Sequence, residues 1–125
     1  MIFFAQTVCG AQAQIKQADK LFESFSFSLA IPYYLKVAEK INDPDRSHAI
    51  TRLGDCYRLT NDQLHAKDWY AKAVAIPGCA KINWYYYGEA LRCAQEYELA
   101  QNAFETYASL NPVDLRGKAH ANFCK

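Results

Sequence analysis

The segment 84–112, WYYYGEALRCAQEYELAQNAFETYASLNP, contains two apolar stripes with the spacing of α-helices. In its first half, apolar residues recur at intervals of three and four, which places them on one helical face. These residues are Trp84, Tyr87, Gly88 and Leu91. In its second half, Ala100 and Phe104 belong to a second stripe, and Pro112 ends the unit. The segment therefore predicts two consecutive helices that pack against each other.

The same pattern occurs twice more toward the N-terminus. A second copy lies 34 residues earlier, at identical offsets, with Ile50, Leu53, Gly54, Tyr57, Ala66, Tyr70 and Gly78. The earliest copy lies a further 36 residues back, because Asp45 and Arg46 are inserted, with Gln14, Gln17, Ala18, Leu21, Ala30, Tyr34 and Asn42. A helix pair of this size cannot bury its apolar stripe alone, so successive pairs are expected to stack.

The pattern resembles the tetratricopeptide repeat, W-x2-L-G-x2-Y…A-x3-F…P over 34 residues. The resemblance covers most of the chain, as repeats 11–46, 47–80 and 81–114, and is closest in the third copy. It implies an all-α fold, an α-solenoid of three helix-turn-helix pairs in a right-handed superhelix. Residues 115–125 are then expected to begin a partial C-terminal capping helix.

Small residues occupy the positions where the two helices of each pair must approach closely. They are Ala18 with Ala30, Gly54 with Ala66, and Gly88 with Ala100. Large aromatic side chains at Tyr34, Tyr70 and Phe104 are predicted to fill the space beside them. The apolar core is therefore expected between neighbouring helices along the stack rather than at one centre.

Local chemistry predicts the helix ends. Ser47 is expected to cap the third helix and Asn61 or Asp62 the fourth, by accepting from free backbone N–H groups. Ser28 as the cap of the second helix would place Pro32 in the first turn, where its missing N–H costs little. The predicted helices cover 14–25, 28–41, 47–59, 62–75, 81–93 and 96–109.

The first thirteen residues, MIFFAQTVCGAQA, differ from the repeats. They end in the A-x-A pattern that signal peptidase cleaves after, but they carry no basic n-region. Two interpretations stay open, the tail of an export signal that starts upstream and an ordinary ragged or disordered terminus. The five cysteines show no C-x-x-C spacing, so they are expected to be small buried or semi-buried apolar residues rather than parts of a disulfide framework or a zinc site.

Composition excludes several functions. Fourteen Lys and Arg against thirteen Asp and Glu leave a formal charge of +1, which argues against nucleic acid or an anionic membrane as the main partner. His48, His65 and His120 fall on different faces of the repeat. No nucleophilic residue and basic residue have a sequence spacing that would place them in one pocket. We therefore expect no enzymatic activity, no cofactor and no metal, and a protein or peptide as the partner.

In this repeat architecture the first helix of each pair lines a concave groove. The positions free of internal packing mix aromatic residues with both signs of charge, which suits protein recognition. The predicted groove residues are Asp19, Arg52, Asp55, Arg58, Tyr85, Tyr86, Glu89 and Arg92, beside Ile15, Lys16, Phe22, Thr51 and Ile82. Tyr85 and Tyr86 are expected to point toward the groove, with Trp84 and Tyr87 inward.

Two alternatives to the groove interpretation stay open. The i,i+3 pairs Asp55/Arg58 and Glu89/Arg92 would stabilise only their own helices, by a few tenths of a kcal/mol. In the second alternative, Tyr85 and Tyr86 contact a neighbouring domain of the same chain rather than a separate partner.

The groove positions also exclude one known specificity. Repeat domains that clamp the terminal carboxylate of chaperone tails resemble one another in a set of Lys, Asn and Arg residues. The corresponding positions here are Ile15, Asp19, Arg52, Ile82 and Tyr86. A chaperone-tail partner is therefore not expected.

The stretches 18–40, 53–78 and 85–112 look similar to the N-terminal repeats of Bacteroidetes OmpA-family envelope proteins, some of which belong to the type IX secretion and gliding machinery. That resemblance implies an interaction module of a larger protein in the periplasm or at the outer membrane, with envelope or secretion components as partners. The alternative is a cytoplasmic repeat adaptor or regulator without export.

Overall fold

The computed structural model describes the backbone of residues 2–125 and the side chains of residues 12–125. The described backbone forms seven α-helices and contains no strand. They are α1 (Ile2–Glu23), α2 (Phe27–Ala38), α3 (Arg46–Leu59), α4 (Gln63–Val74), α5 (Ile82–Cys93), α6 (Tyr97–Leu110) and α7 (Arg116–Phe123). Each helix packs mainly against its neighbours in sequence, so the helices form a linear stack. The predicted all-α solenoid of three helix pairs is confirmed.

The close approach within each pair depends on the small residues of the repeat. Ala18, Ala30, Ala66 and Ala100 are fully buried. A Cβ atom added to Gly54 would lie 2.8 Å from Cε1 of Tyr70, and one added to Gly88 would lie 2.7 Å from Cδ1 of Phe104. The rings thus lie directly on the glycine backbone, as the sequence pattern predicts.

A shared turn ends the first helix of every pair. Phe25, Asn61 and Gln95 adopt positive φ angles of 61°, 63° and 63°. In each case the N–H of the following residue bonds a carbonyl one turn back, as from Ser26 to Leu21 at 2.8 Å. This Schellman-type ending stops α1 at Glu23, two residues before the predicted end, because Phe25 is already left-handed.

Two predicted caps are wrong and one is confirmed. The second helix starts at Phe27 after Ser26, not after Ser28, so Pro32 lies in the second turn. The third starts at Arg46, because the turn closed by Asp43 Oδ1 and the Asp45 N–H already ends at Asp45. Ser47 is therefore inside α3. Asp62 caps α4 as predicted, accepting from the His65 N–H at 3.2 Å.

The first helix starts earlier than predicted. Residues 2–13 continue the same helix as the first repeat, so the predicted start at 14 is wrong. Between Ile2 and Glu23 the sequence contains no proline and mostly residues that tolerate a helix, which removes the expected break. The side chains of residues 1–11, Cys9 among them, lie outside the described part. None of the helices within residues 2–125 combines the length and apolar character required to cross a membrane.

Helix α7 buries one face against α6 and leaves a polar face open. Gly117 and Ala121 are buried. The residues in register with Trp84, Tyr87, Gly88 and Leu91 of the third repeat are Lys118, Ala121 and Asn122 of α7 and Lys125 beyond its end. These residues border an open depression beside α6. Lys118, Asn122 and Lys125 make this side of the C-terminal segment mostly polar.

Candidate partner-binding groove

A concavity of about 660 Å³ opens on the side of the first helices, centred on α3. One face of α3 supplies Ser47, His48, Thr51, Arg52, Asp55 and Arg58. Phe22 of α1 lies at one end, and Ile82, Asn83 and Tyr86 of α5 lie at the other. The loop 76–80 forms a rim. We call this concavity the central groove.

Asp55 organises the floor of the central groove. Asp55 is only 8% exposed, and its carboxylate accepts a hydrogen bond from the Tyr70 hydroxyl at 2.6 Å. Arg52 Nη1 donates to Oδ2 at 3.3 Å, and Arg58 Nη2 donates to Oδ1 at 3.5 Å. Arg58 Nε also donates to the Tyr70 hydroxyl, at 2.9 Å. A buried carboxylate requires such compensation, and Asp55 thereby joins α3 to α4 rather than only supporting its own helix.

Both arginines of the central groove lie on aromatic rings. The Arg58 guanidinium carbon is 3.8 Å from the ring centre of Tyr86, and that of Arg52 is 4.2 Å from the ring centre of Phe22. Cation–π contacts of this kind contribute about 0.5–2 kcal/mol and restrict the orientation of the planar guanidinium. The two cations are therefore held in place before any partner binds.

The first repeat uses the same carboxylate and hydroxyl pair, fifteen residues apart. Asp19 accepts from the Tyr34 hydroxyl at 2.6 Å and contacts His48 Nε2 at 2.8 Å. Asp19 is therefore not part of the groove lining but contacts His48, which is. In the third repeat the equivalent residues are Glu89 and Phe104, and Phe104 has no hydroxyl. The hydrogen bond between an aspartate and a tyrosine fifteen residues later therefore occurs in the first two repeats and not in the third.

Replacing Tyr70 by Phe removes the hydroxyl that joins Asp55 to Arg58 while keeping the buried ring. A hydrogen bond to a charged group contributes about 1.5–3 kcal/mol, so we expect the free energy of unfolding to fall by about 2 kcal/mol. Chemical denaturation followed by circular dichroism measures this loss. Tyr97→Phe is the control, because Tyr97 is half exposed, and a change of similar size in both variants would contradict the network.

Burial raises the pKa of three acidic groups beneath the central groove. Burial and the Asp55 carboxylate raise the pKa of the Cys56 thiol to about 12. Burial, followed by the neighbouring carboxylates of Asp19 and Asp55, also raises the pKa of Tyr34 and of Tyr70. For Arg58, burial opposes the charge, but Tyr70 and Asp55 outweigh it and the pKa rises.

These shifts predict loss of stability at alkaline pH. The Cys56 thiol has a pKa of about 12 in the folded chain and the ordinary value of 9.0 after unfolding. Its contribution to the free energy of unfolding is therefore fully present below pH 9 and is lost as the pH rises toward 12. Each such group lowers the free energy of unfolding by about 1.4 kcal/mol per pH unit in that window. We expect a flatter decline for Cys56→Ala in denaturation series from pH 8 to 11. The exposed Cys93→Ala serves as the control, and parallel declines in wild type and Cys56→Ala would contradict this origin.

Tyr85 does not face an open groove, which corrects its predicted orientation. It is only 6% exposed, with its ring centre 5.7 Å from that of Phe104 and 5.4 Å from that of His120. The Arg116 guanidinium carbon lies 4.7 Å from the Tyr85 ring centre. Helix α7 therefore covers Tyr85. Tyr86 differs, because it is half-buried and lines the central groove.

The structure separates the predicted groove residues into two groups. Arg52, Asp55, Arg58 and Tyr86 come together in the central groove. Glu89 and Arg92 are partly buried on α5 and are not part of its lining. The pKa of the Tyr85 hydroxyl is raised mainly by burial and, to a smaller extent, by the nearby Glu89 carboxylate.

Two parts of the central groove escaped sequence reasoning. His48 holds position 2 of the second repeat, 47–80, one turn before Thr51 and Arg52 on the same helix, so the repeat register could have identified it. The loop 76–80 contains no groove position of the repeat. Its role as a rim depends on the distance between α4 and α5, which no sequence pattern reports.

The other two histidines lie in separate surroundings outside the central groove. His65 is paired with Asp62 at 2.7 Å on α4, and His120 packs on α5 and α6 through Tyr85 and Phe104. No group of three or more His, Cys, Asp or Glu side chains in this part of the chain is arranged to hold a metal ion. Cys56 is buried, Cys79 and Cys124 are half-buried and Cys93 is exposed, so the prediction of buried apolar cysteines does not hold for Cys93.

Comparison with known proteins supports the architecture. No protein-family model matches the chain, and no curated protein matches it. Among solved structures it is similar to the C-terminal TPR-containing domain of an FK506-binding protein from Plasmodium falciparum, with a TM-score of 0.74 and 20% identity over 91% of this chain and 85% of that chain. It is equally similar to the first TPR domain of Spaghetti (RPAP3) bound to the HSP90 peptide SRMEEVD, with a TM-score of 0.74 and 20% identity over 91% and 89%. The described helices thus have the fold of a tetratricopeptide-repeat domain.

Proposed function

We propose that the three repeats form a non-enzymatic protein-binding module, which holds an extended segment of a protein partner in the central groove. The observation that carries this proposal is the pair of arginines held on aromatic rings in an open concavity. Aromatic and Arg side chains dominate protein-binding hot spots, and groups that are already fixed lose little conformational entropy on binding.

One of the similar solved structures supports a peptide ligand, although the groove residues here do not fit that same peptide. The Spaghetti domain is bound to an HSP90 peptide. Binding of a peptide by this chain is inferred by analogy from the shared fold. In this chain, the positions expected of a carboxylate clamp hold Ile15, Asp19, Arg52, Ile82 and Tyr86. Since Asp19 is acidic and already bound to Tyr34, we expect a partner other than a chaperone tail.

Peptide display tests this proposal with the 125-residue chain as bait. We expect recovered peptides to lose affinity at least tenfold with Ile82→Asp, which places a charge in the groove wall. Leu64→Asp is the matched control, because Leu64 is 62% exposed on the second helix of its pair. Equal affinity for Ile82→Asp and wild type would place binding elsewhere on the surface and contradict the proposal.

We further propose that this module belongs to a larger envelope protein of the OmpA family linked to type IX secretion, located in the periplasm or at the outer membrane. The supporting observations are the sequence stretches 18–40, 53–78 and 85–112 and the A-x-A pattern at residues 11–13. A cytoplasmic adaptor is the alternative. Fractionation of cells that express the tagged full-length protein distinguishes them, since recovery only in the cytosol would contradict the envelope assignment.

A further inference from the structure

The central groove contains more positive charge and more free donors than its own residues use. Its formally charged lining residues are Arg52 and Arg58 against Asp55, so one positive charge stays uncompensated with His48 neutral. Each guanidinium carries five N–H donors. The hydrogen bonds found within residues 12–125 use one donor of Arg52 and two of Arg58.

The geometry of the two arginines suits an additional anionic group. Asp55 lies between them and bonds each at 3.3–3.5 Å, which holds both guanidinium groups on the same side of α3. Phe22 and Tyr86 support their planar faces, so their edges are left for hydrogen bonding. A carboxylate accepts such paired N–H donors in a bidentate manner, and charge-assisted bonds of this kind are about twice as strong as neutral ones.

One side of the groove wall, at the rim and the start of α5, is apolar. Ile76 and Pro77 of the rim and Ile82 at the start of α5 face the same concavity as the arginines. A ligand that uses both the arginines and this apolar side therefore combines one carboxylate with an apolar group. The lining of this open concavity runs from Phe22 of α1 across α3 to Tyr86 of α5, so we take the ligand to be a segment that continues on both sides of the arginines.

We propose that the partner segment presents an internal Asp or Glu side chain to Arg52 and Arg58, flanked by an apolar residue that packs on Ile76, Pro77 and Ile82. This inference rests on the proposed function of the groove and specifies the chemistry of its ligand. The carboxylate is a side chain of the partner, not its chain terminus.

Two peptide libraries test the inference with the 125-residue chain, one with fused C-termini and one with free C-termini. We expect the fused library to enrich Asp or Glu beside an apolar residue. Changing that acid to its amide should weaken binding at least tenfold. Arg52→Gln should weaken the acidic peptide equally and the amide peptide little, because the two changes remove the same interaction.

Several controls separate this inference from the proposed function. Arg52→Gln is preferred over Arg58→Gln, because the Arg52 side chain is 37% exposed and its loss leaves the Tyr70 bond to Arg58 intact. Lys36→Gln removes an exposed charge from α2 as a matched control and should leave affinity unchanged. Peptides that bind wild type and lose affinity with Ile82→Asp, but show no acid preference, would overturn the carboxylate inference and leave the proposed function standing. Enrichment of acids only in the free-terminus library would overturn it as well.

Discussion

Phe104→Ala is expected to lower the free energy of unfolding by about 3–5 kcal/mol, the usual cost of removing a buried aromatic ring. Phe104 is fully buried and occupies the space above Gly88, where no Cβ is present to fill the gap. Its ring also contacts Tyr85 and His120, so its loss loosens α5, α6 and α7 together. Denaturant-induced unfolding measures the effect.

The control for Phe104 lies on the same helix. Leu99 is 51% exposed, and Leu99→Ala should change the free energy of unfolding by no more than about 0.5 kcal/mol. A loss below about 1.5 kcal/mol for Phe104→Ala would contradict a stack whose third repeat depends on this ring.

Asp55→Ala should destabilise the chain by about 3 kcal/mol, because it leaves Arg58 and the Tyr70 hydroxyl without their shared acceptor. Removing one partner of a buried ion pair costs about 3–5 kcal/mol, and the partial exposure of Arg52 and Arg58 moves the expectation to the lower end. The same variant should also increase the mobility of both arginines, which NMR of their side-chain Nε–H groups would detect.

Glu89→Ala is the matched control for Asp55→Ala. Glu89 holds the equivalent repeat position in α5, where Phe104 replaces the tyrosine. We expect a loss of less than about 1 kcal/mol, because Glu89 is only partly buried and has no tyrosine hydroxyl at the position of Phe104 to bond. Similar losses at Asp55 and Glu89 would show that Asp55 acts only as a helix-supporting charge, which is one of the alternatives that the sequence leaves open.

The repeat register made most of the architecture predictable from sequence. The spacing of Trp84, Gly88 and Leu91 determines which face of α5 is buried, and Gly88 opposite Phe104 predicts the closest contact between helices. Both are local periodicities, which depend on helix geometry alone. Helix ends were less predictable, because Ser26 and Ser28 are both suitable caps and only the turn at Phe25 selects between them.

The details of the groove depended on contacts that have no local signature. Tyr85 occupies a groove position of the repeat, but α7 covers it. The α7 sequence RGKAHANF has too little apolar periodicity to predict this packing. The bond from Tyr70 to Asp55 joins residues fifteen positions apart on two helices, so it follows from the packing of the pair and not from either helix. The residue types were evident from sequence, whereas their pairing was not.

Chemical-shift mapping of a display-selected peptide on the isotopically labelled chain tests the groove most directly. The binding proposal predicts the largest perturbations on α3 around Arg52, Asp55 and Arg58, with Tyr86 of α5 included. The second helices of the pairs, α2, α4 and α6, should change little. Perturbations confined to those helices, with the α3 signals unmoved at saturating peptide, would contradict it.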